Sequence, residues 1–165
     1  MGSETPRDYH LRIARDGTWY HRGSPIARKP LVKLFSTVLR REDDGEYWLV
    51  TPAERGRIEV EDAPFTAVEL SVTGAGEAQA LSFRTNLDDW VTAGPEHPIR
   101  VETCPDTGEP RPYILVRGRL EALIQRPVFY ELVERAETKK QDGKAIVGLW
   151  SQGTFFCLGT LTEAD

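Results

Sequence analysis

Two arginines stand where a helix would begin. Arg28 precedes Lys29-Pro30 and Arg126 directly precedes Pro127. Proline is favoured in the first turn of a helix, because its missing N–H is not needed there. A cation at that end opposes the helix dipole by a few tenths of a kcal/mol to about 1 kcal/mol. The first-turn amides also lack partners within the helix. Arginine and free amides together suit a phosphate or carboxylate. The competing reading turns each arginine sideways to an acidic strand residue such as Glu121 or Glu69.

Other chemistry is poorly supported. Gly74 and Gly76 in "SVTGAGEAQALSF" make a partial dinucleotide fingerprint, but Gln79 occupies the third glycine position and a strand follows, so a hairpin turn explains them. No phosphate-loop pattern, CxxC pair or GxSxG elbow occurs. His10, His21 and His97 are scattered, so neither metal nor cofactor is expected. Asp88 and Asp89 in "TNLDDW" read as turn or cap residues. An enzyme using them with His21 or His97 on a phosphorylated substrate is the least supported alternative, and no catalytic residue is assigned.

The elements that must position these arginines come in two similar runs. Asp16-Gly17 marks a hairpin between "HLRIAR" and "TWYHRG". Leu31, Leu34, Phe35, Val38 and Leu39 then fall at helical spacing behind Pro30. "EYWLVTP" and "GRIEVED" read as strands after Asp44-Gly45. Further on, "YILVRG" and "RLEALI" meet at Arg117-Gly118. Pro127 opens a helix with Val128, Phe129, Leu132, Val133 and Ala136 on one face. "AIVGLWS" and "TFFCLGTL" follow Asp142-Gly143. Arg22-Gly23 and Arg117-Gly118 lie 95 residues apart, Pro30 and Pro127 97, and the two Asp-Gly turns 98. Trp48 and Trp150 fall at matching strand positions, where either could pack in a core or stack on a base.

The chain therefore reads as α+β and β-dominated, with two related β-β-α-β-β halves and a central hairpin, "FTAVELSV" with "AQALSFRTN". The expected division is 1–64 and 65–165. The expected core is Leu31, Leu34, Phe35, Trp48, Leu70, Phe83, Ile114, Leu132, Val133, Leu149 and Phe156. Residues 1–8 read as irregular.

Composition permits such a fold. The 165 residues are 39% hydrophobic and 28% charged, enough to bury a core without disulfides or metal. Cys104 lies in a turn-rich segment and Cys157 in a strand-like run. That usage, with no leader pattern and no apolar run near the ~20 residues of a spanning helix, suggests the cytoplasm and no membrane partner. The net charge of −5 is uneven: residues 1–41 carry +6 and the rest −11. The basic third can attract an anion or simply its own acidic body. Nucleic acid is disfavoured as a partner.

The stretches "DGTWYHRGSPIARKPLVKLFSTVL", "SFRTNLDDWVTAGPEHPIRVE", "RPYILVRGRLEALIQRPVFYELVE" and "GLWSQGTFFCLG" resemble a proteobacterial domain-of-unknown-function family, family 1285, over roughly residues 9–160. The resemblance implies a duplicated β-rich fold whose C-terminal part is similar to pleckstrin-homology-like barrels. It also implies a groove between the parts for a nucleotide-like ligand, with a role in signal transduction and no enzymatic activity. The positions that then matter are Arg22, Arg28, Arg84, Thr85, Asn86, Arg117, Arg126 and Tyr130. The expected partner is an anionic or nucleotide-like small molecule. A protein-interaction adaptor without any such ligand is the alternative.

Overall fold

The computed structural model describes residues 7–161. Of the irregular start expected over 1–8, residues 1–6 lie outside that range, while Arg7 and Asp8 already belong to a strand. The N-terminal half runs β1 (Arg7–Ile13), β2 (Trp19–His21), β3 (Ser24–Pro25), α1 (Lys29–Ser36), β4 (Leu39–Arg41), β5 (Tyr47–Val50) and β6 (Arg55–Val60). These six strands form one sheet in the order β3-β2-β1-β6-β5-β4, with β1 and β6 parallel at its centre.

The rest of the chain begins with the central hairpin, β7 (Phe65–Thr73) and β8 (Ala80–Thr85), and β9 (Trp90–Thr92). It continues with β10 (Ile99–Thr103), β11 (Pro110–Arg117), β12 (Leu120–Ile124), α2 (Arg126–Arg135), β13 (Glu137–Gln141), β14 (Lys144–Ser151) and β15 (Thr154–Leu161). A second sheet has the order β10-β11-β12-β7-β8-β9, and β13-β14-β15 form a third. β15 lies against β10 and β14 against β8, which gives this half its barrel-like closure.

The duplication is visible in the topology. The N-terminal sheet reads β3-β2-β1-β6-β5-β4, and β12-β11-β10 followed by β15-β14-β13 repeats it strand for strand. The Arg-Gly turns join β2 to β3 and β11 to β12. The Asp-Gly turns join β4 to β5 and β13 to β14. Each half thus holds three strands before its helix and three after it, one more on each side than the periodicity revealed. The β7-β8-β9 meander is the added piece, joined to the repeat by parallel pairing of β7 with β12.

One continuous apolar core runs through both halves, from Leu11, Ile13 and Trp19 through Phe65 and Phe83 to Leu132, Leu149 and Phe156. Trp48, Phe83, Ile114, Leu132, Leu149 and Phe156 are buried as expected, and Phe35 and Leu70 pack against the core. Leu34 and Val133 are corrections: they are 62% and 45% exposed. In α1 the buried face is Val32 and Ser36, one residue away from the expected stripe. That helix also stops early. The Ser36 and Thr37 hydroxyls donate back to the carbonyls of Lys33 and Leu34, a local alternative to further helical turns. Val38 and Leu39 accordingly leave the helix, and Leu39 starts β4.

Candidate functional site

A groove of about 670 Å³ lies where the two halves meet, within the size range of small-molecule sites. One wall comes from the turn between β1 and β2, with Arg15 and Asp16, and from Asp62 in the segment joining the halves. The facing wall comes from Cys104, Thr107, Glu109, Arg111, Gln125, Arg126, Phe129 and Tyr130, and Thr66 of β7 contributes to the lining.

Local sequence explains how these pieces are held. Gly17 takes φ +91, and a Cβ there would sit 2.7 Å from Asn86 Nδ2, so the turn needs glycine for both conformation and space. Asn86 accepts from the Thr66 amide at 3.0 Å and donates to the Gly17 carbonyl at 3.4 Å. It fastens the turn to β7. The β10–β11 turn closes through Cys104 N–H to Glu109 C=O and Gly108 N–H to Cys104 C=O, both 2.8 Å. The Arg111 guanidinium lies 3.6 Å from Cys104 Sγ. The Thr107 hydroxyl foremost, then the Thr107 and Asp106 amides, lower the Cys104 thiol to about 7.

At the other end of the groove α2 begins without a side-chain cap and with no acidic residue in its first turn. Its Arg126 reaches only a long, exposed contact of 3.4 Å to Glu109. Tyr113 stands outside the lining and donates its hydroxyl to Asp62 Oδ1 at 2.6 Å. Burial first, and then this carboxylate, push the Tyr113 hydroxyl up, so it stays a donor.

The sequence-selected residues divide into groups. Arg126 and Tyr130 line the groove. Asn86 braces it from behind. Arg84, Thr85 and Arg117 are occupied elsewhere. Arg117 donates to the Ser36 carbonyl at 2.6 Å and stacks over Phe65, tying the second sheet to α1. Thr85 is buried, and its hydroxyl accepts the Leu87 and Asp89 amides. Arg22 is exposed in the β2–β3 turn. Arg28 is exposed at the N-terminus of α1, has no side-chain partner among the described residues, and does not line the groove. The mouths of the two helices therefore do not share one cavity. The acidic partners offered as the alternative belong to other arginines: Glu69 to Arg84 and Glu121 to Arg100.

Arg84 also meets Asp88 at 3.0 Å, and Asp88 accepts Lys29 at 2.9 Å and Lys33 at 3.0 Å from α1. This cluster latches α1 to the meander. Lys29 and then Lys33 hold the Asp88 carboxyl at about 2, below its ordinary 3.8. A depressed carboxylate contributes stability above its unfolded pKa, and the contribution is lost as pH falls through the folded one. Asp88→Asn is expected to lower the melting temperature modestly at pH 7. The gap to wild type should close between pH 3.8 and about 2, and should shrink in high salt because the cluster is exposed. Thermal melts across that pH range check it.

Residues 3–63 match the family model described as "Domain of unknown function (DUF1285), N-terminal domain". Residues 64–158 match "Protein of unknown function (DUF1285), C-terminal domain". The chain belongs to the DUF1285 family. The resemblance read from the sequence thus holds along nearly the whole chain. A crystal structure of a DUF1285 family protein from Silicibacter pomeroyi DSS-3 is 48% identical, with a TM-score of 0.86 over 95% of this chain and 85% of that one. A DUF1285 family protein from Shewanella baltica OS155 is 25% identical, with a TM-score of 0.59 over 76% of this chain and 91% of that one. No curated protein matches the chain.

Within this DUF1285 chain, sequence reasoning missed Arg15, Asp62, Thr66, Cys104 and Arg111 as groove residues. Only "EVEDAPF", at the joint between the two family domains, carried a signal: a carboxylate two residues before a proline where two units meet. Among the described residues, no helix is long and apolar enough to cross a membrane.

Proposed function

We propose that this protein is a non-enzymatic cytoplasmic module that binds an anionic, nucleotide-like small molecule between units 1–64 and 65–165 and relays that binding to a partner in signal transduction. One observation carries the reading. The uncapped first turn of α2 opens into the groove with Arg126 on it. Unpaired helix-start amides, the positive end of the dipole and a guanidinium all favour the same kind of ligand group. Arg111 and Arg15 add charge to the same lining, and Phe129 and Tyr130 offer aromatic surface for a ring.

The test is a thermal-shift and titration series with purine and pyrimidine nucleotides at millimolar concentration. Arg126→Ala is expected to weaken binding roughly 10- to 100-fold, the loss of one charge-assisted hydrogen-bonding group. Arg28→Ala serves as the control and should leave binding unchanged, because Arg28 lies outside the groove. A panel without any shift, or equal losses from the two variants, would sink the reading. The adaptor alternative rests on the exposed side of α2, where Val133 and, at the groove edge, Tyr130 are accessible. Capture of a single partner by wild type and Arg126→Ala alike, with no nucleotide effect, would favour it.

A further inference from the structure

The groove is bipolar, and its acidic side is unsatisfied. The Asp62 side chain is only 10% exposed. Its Oδ1 is taken by Tyr113, but its buried Oδ2 has no hydrogen-bond partner among the described residues. The nearest cation is Arg15 Nε at 3.7 Å, on a side chain that is itself 60% exposed. An ionised carboxylate can only accept, and its two oxygens offer about four acceptor positions. Burying such a group with one donor and a loose ion pair is unfavourable unless something else supplies hydrogen-bond donors. Thr66 is buried in the same lining, and its Oγ1 also has no partner among the described residues.

We infer that Asp62 Oδ2, aided by the Thr66 hydroxyl, reads an N–H-donating nitrogen on the same ligand whose acidic group sits on Arg126 and the start of α2. This rests on the anion reading of the groove and narrows it to one ligand class. The ligand carries an acidic group at one end and an amine or amino-substituted ring at the other. Nucleotides with an exocyclic amino group meet that description. Inorganic phosphate meets only half of it, and would leave the buried carboxylate oxygen as it is.

Matched probes isolate the amine. GMP differs from IMP by one amino group, and AMP differs in the same way from purine riboside 5′-monophosphate. For at least one pair, wild type is expected to bind the aminated member about tenfold or more tightly, since sites built to hydrogen-bond a group reject analogues lacking it. Asp62→Asn keeps the shape and an acceptor for Tyr113 but removes the charge, and should erase the preference. Arg126→Ala should weaken both members of a pair by the same factor. Equal affinities within both pairs in wild type overturn the amine site and leave the anion reading standing. A preference that survives in Asp62→Asn overturns the assignment to Asp62. Absence of binding by all four nucleotides overturns this inference, and the same absence across the pyrimidine nucleotides overturns the anion reading as well. The wild-type comparison needs no variant, so a folding defect in Asp62→Asn cannot mask the result.

Discussion

Trp19→Ala is expected to cost about 3–5 kcal/mol, the range for deleting a large buried aromatic. Trp19 is 1% exposed, at the start of β2. Its ring stacks on Phe35 of α1 with centroids 6.1 Å apart, and its carbonyl accepts the Ile26 amide at 2.8 Å. It therefore seats the helix on the N-terminal sheet just beyond the turn that supplies Arg15 and Asp16 to the groove. Trp19→Phe separates packing from polarity. The Trp19 Nε1–H is buried without a partner among the described residues, so phenylalanine removes an unsatisfied donor while keeping most of the ring. Its net cost should stay below about 2 kcal/mol, because part of the cavity penalty is offset. Denaturant unfolding of the three proteins decides it. A Trp19→Phe variant as unstable as Trp19→Ala would mean that the indole edge, and not the stacked area, holds α1.

The repeat was legible because its punctuation is chemical. Arg-Gly, Asp-Gly and the helix-opening prolines survive in both halves, and backbone geometry explains why. Arg22 and Asp142 adopt positive φ, as do Gly23, Gly45, Gly118 and Gly143, conformations that restrict which residues fit. Of the extra strands, β3, β4 and β13 were not legible. β3 has two residues and β4 three, too short for a period to register. β13 reads ETKKQ and is exposed throughout, so it has no apolar alternation. It is an edge strand with one partner, β14, and its lysines suit such an edge. The helix faces slipped for a related reason. α1 has eight residues and α2 ten, and both carry more apolar positions than one face can bury. Which of them turn inward is decided by Trp19 and the sheets, not by the helix itself.

The site was half legible. Arg126 stood out by directly preceding the proline that opens the helix. Arg28 has the same local grammar, yet it opens on solvent because α1 is drawn to the meander by Asp88 instead of facing the groove. Local sequence specifies the character of a helix start, and tertiary packing decides what faces it. Asp62 and Thr66 could not be found in this way. Their distinction is the lack of a partner, and that is a property of everything folded around them.

Ser151→Ala is expected to cost roughly 2–5 kcal/mol, far more than its single hydroxyl suggests. Ser151 is fully buried at the end of β14. Its hydroxyl accepts the Leu81 amide at 2.9 Å and donates to the Ala93 carbonyl at 2.7 Å. One oxygen thus satisfies two backbone groups of the central meander and joins the third sheet to the second. Nearby, Gln79 Nε2 donates to the Trp150 carbonyl at 2.9 Å, and the Gln152 amide donates to the Gln79 carbonyl at 3.1 Å. The tip of the β14–β15 hairpin is therefore held by polar contacts, and Ser151 is the buried one. Alanine fits the space but strands an N–H and a C=O away from water, at about 1–3 kcal/mol each. At this chain length each kcal/mol moves the melting temperature by roughly 2–4 °C, so a drop of about 4–20 °C is expected. Hydrogen exchange supplies the sharper reading: the Leu81 amide should lose protection first, ahead of the amides of the N-terminal sheet. A loss below about 1 kcal/mol, with Leu81 still protected, would show that the β14–β15 hairpin is seated by its apolar face alone.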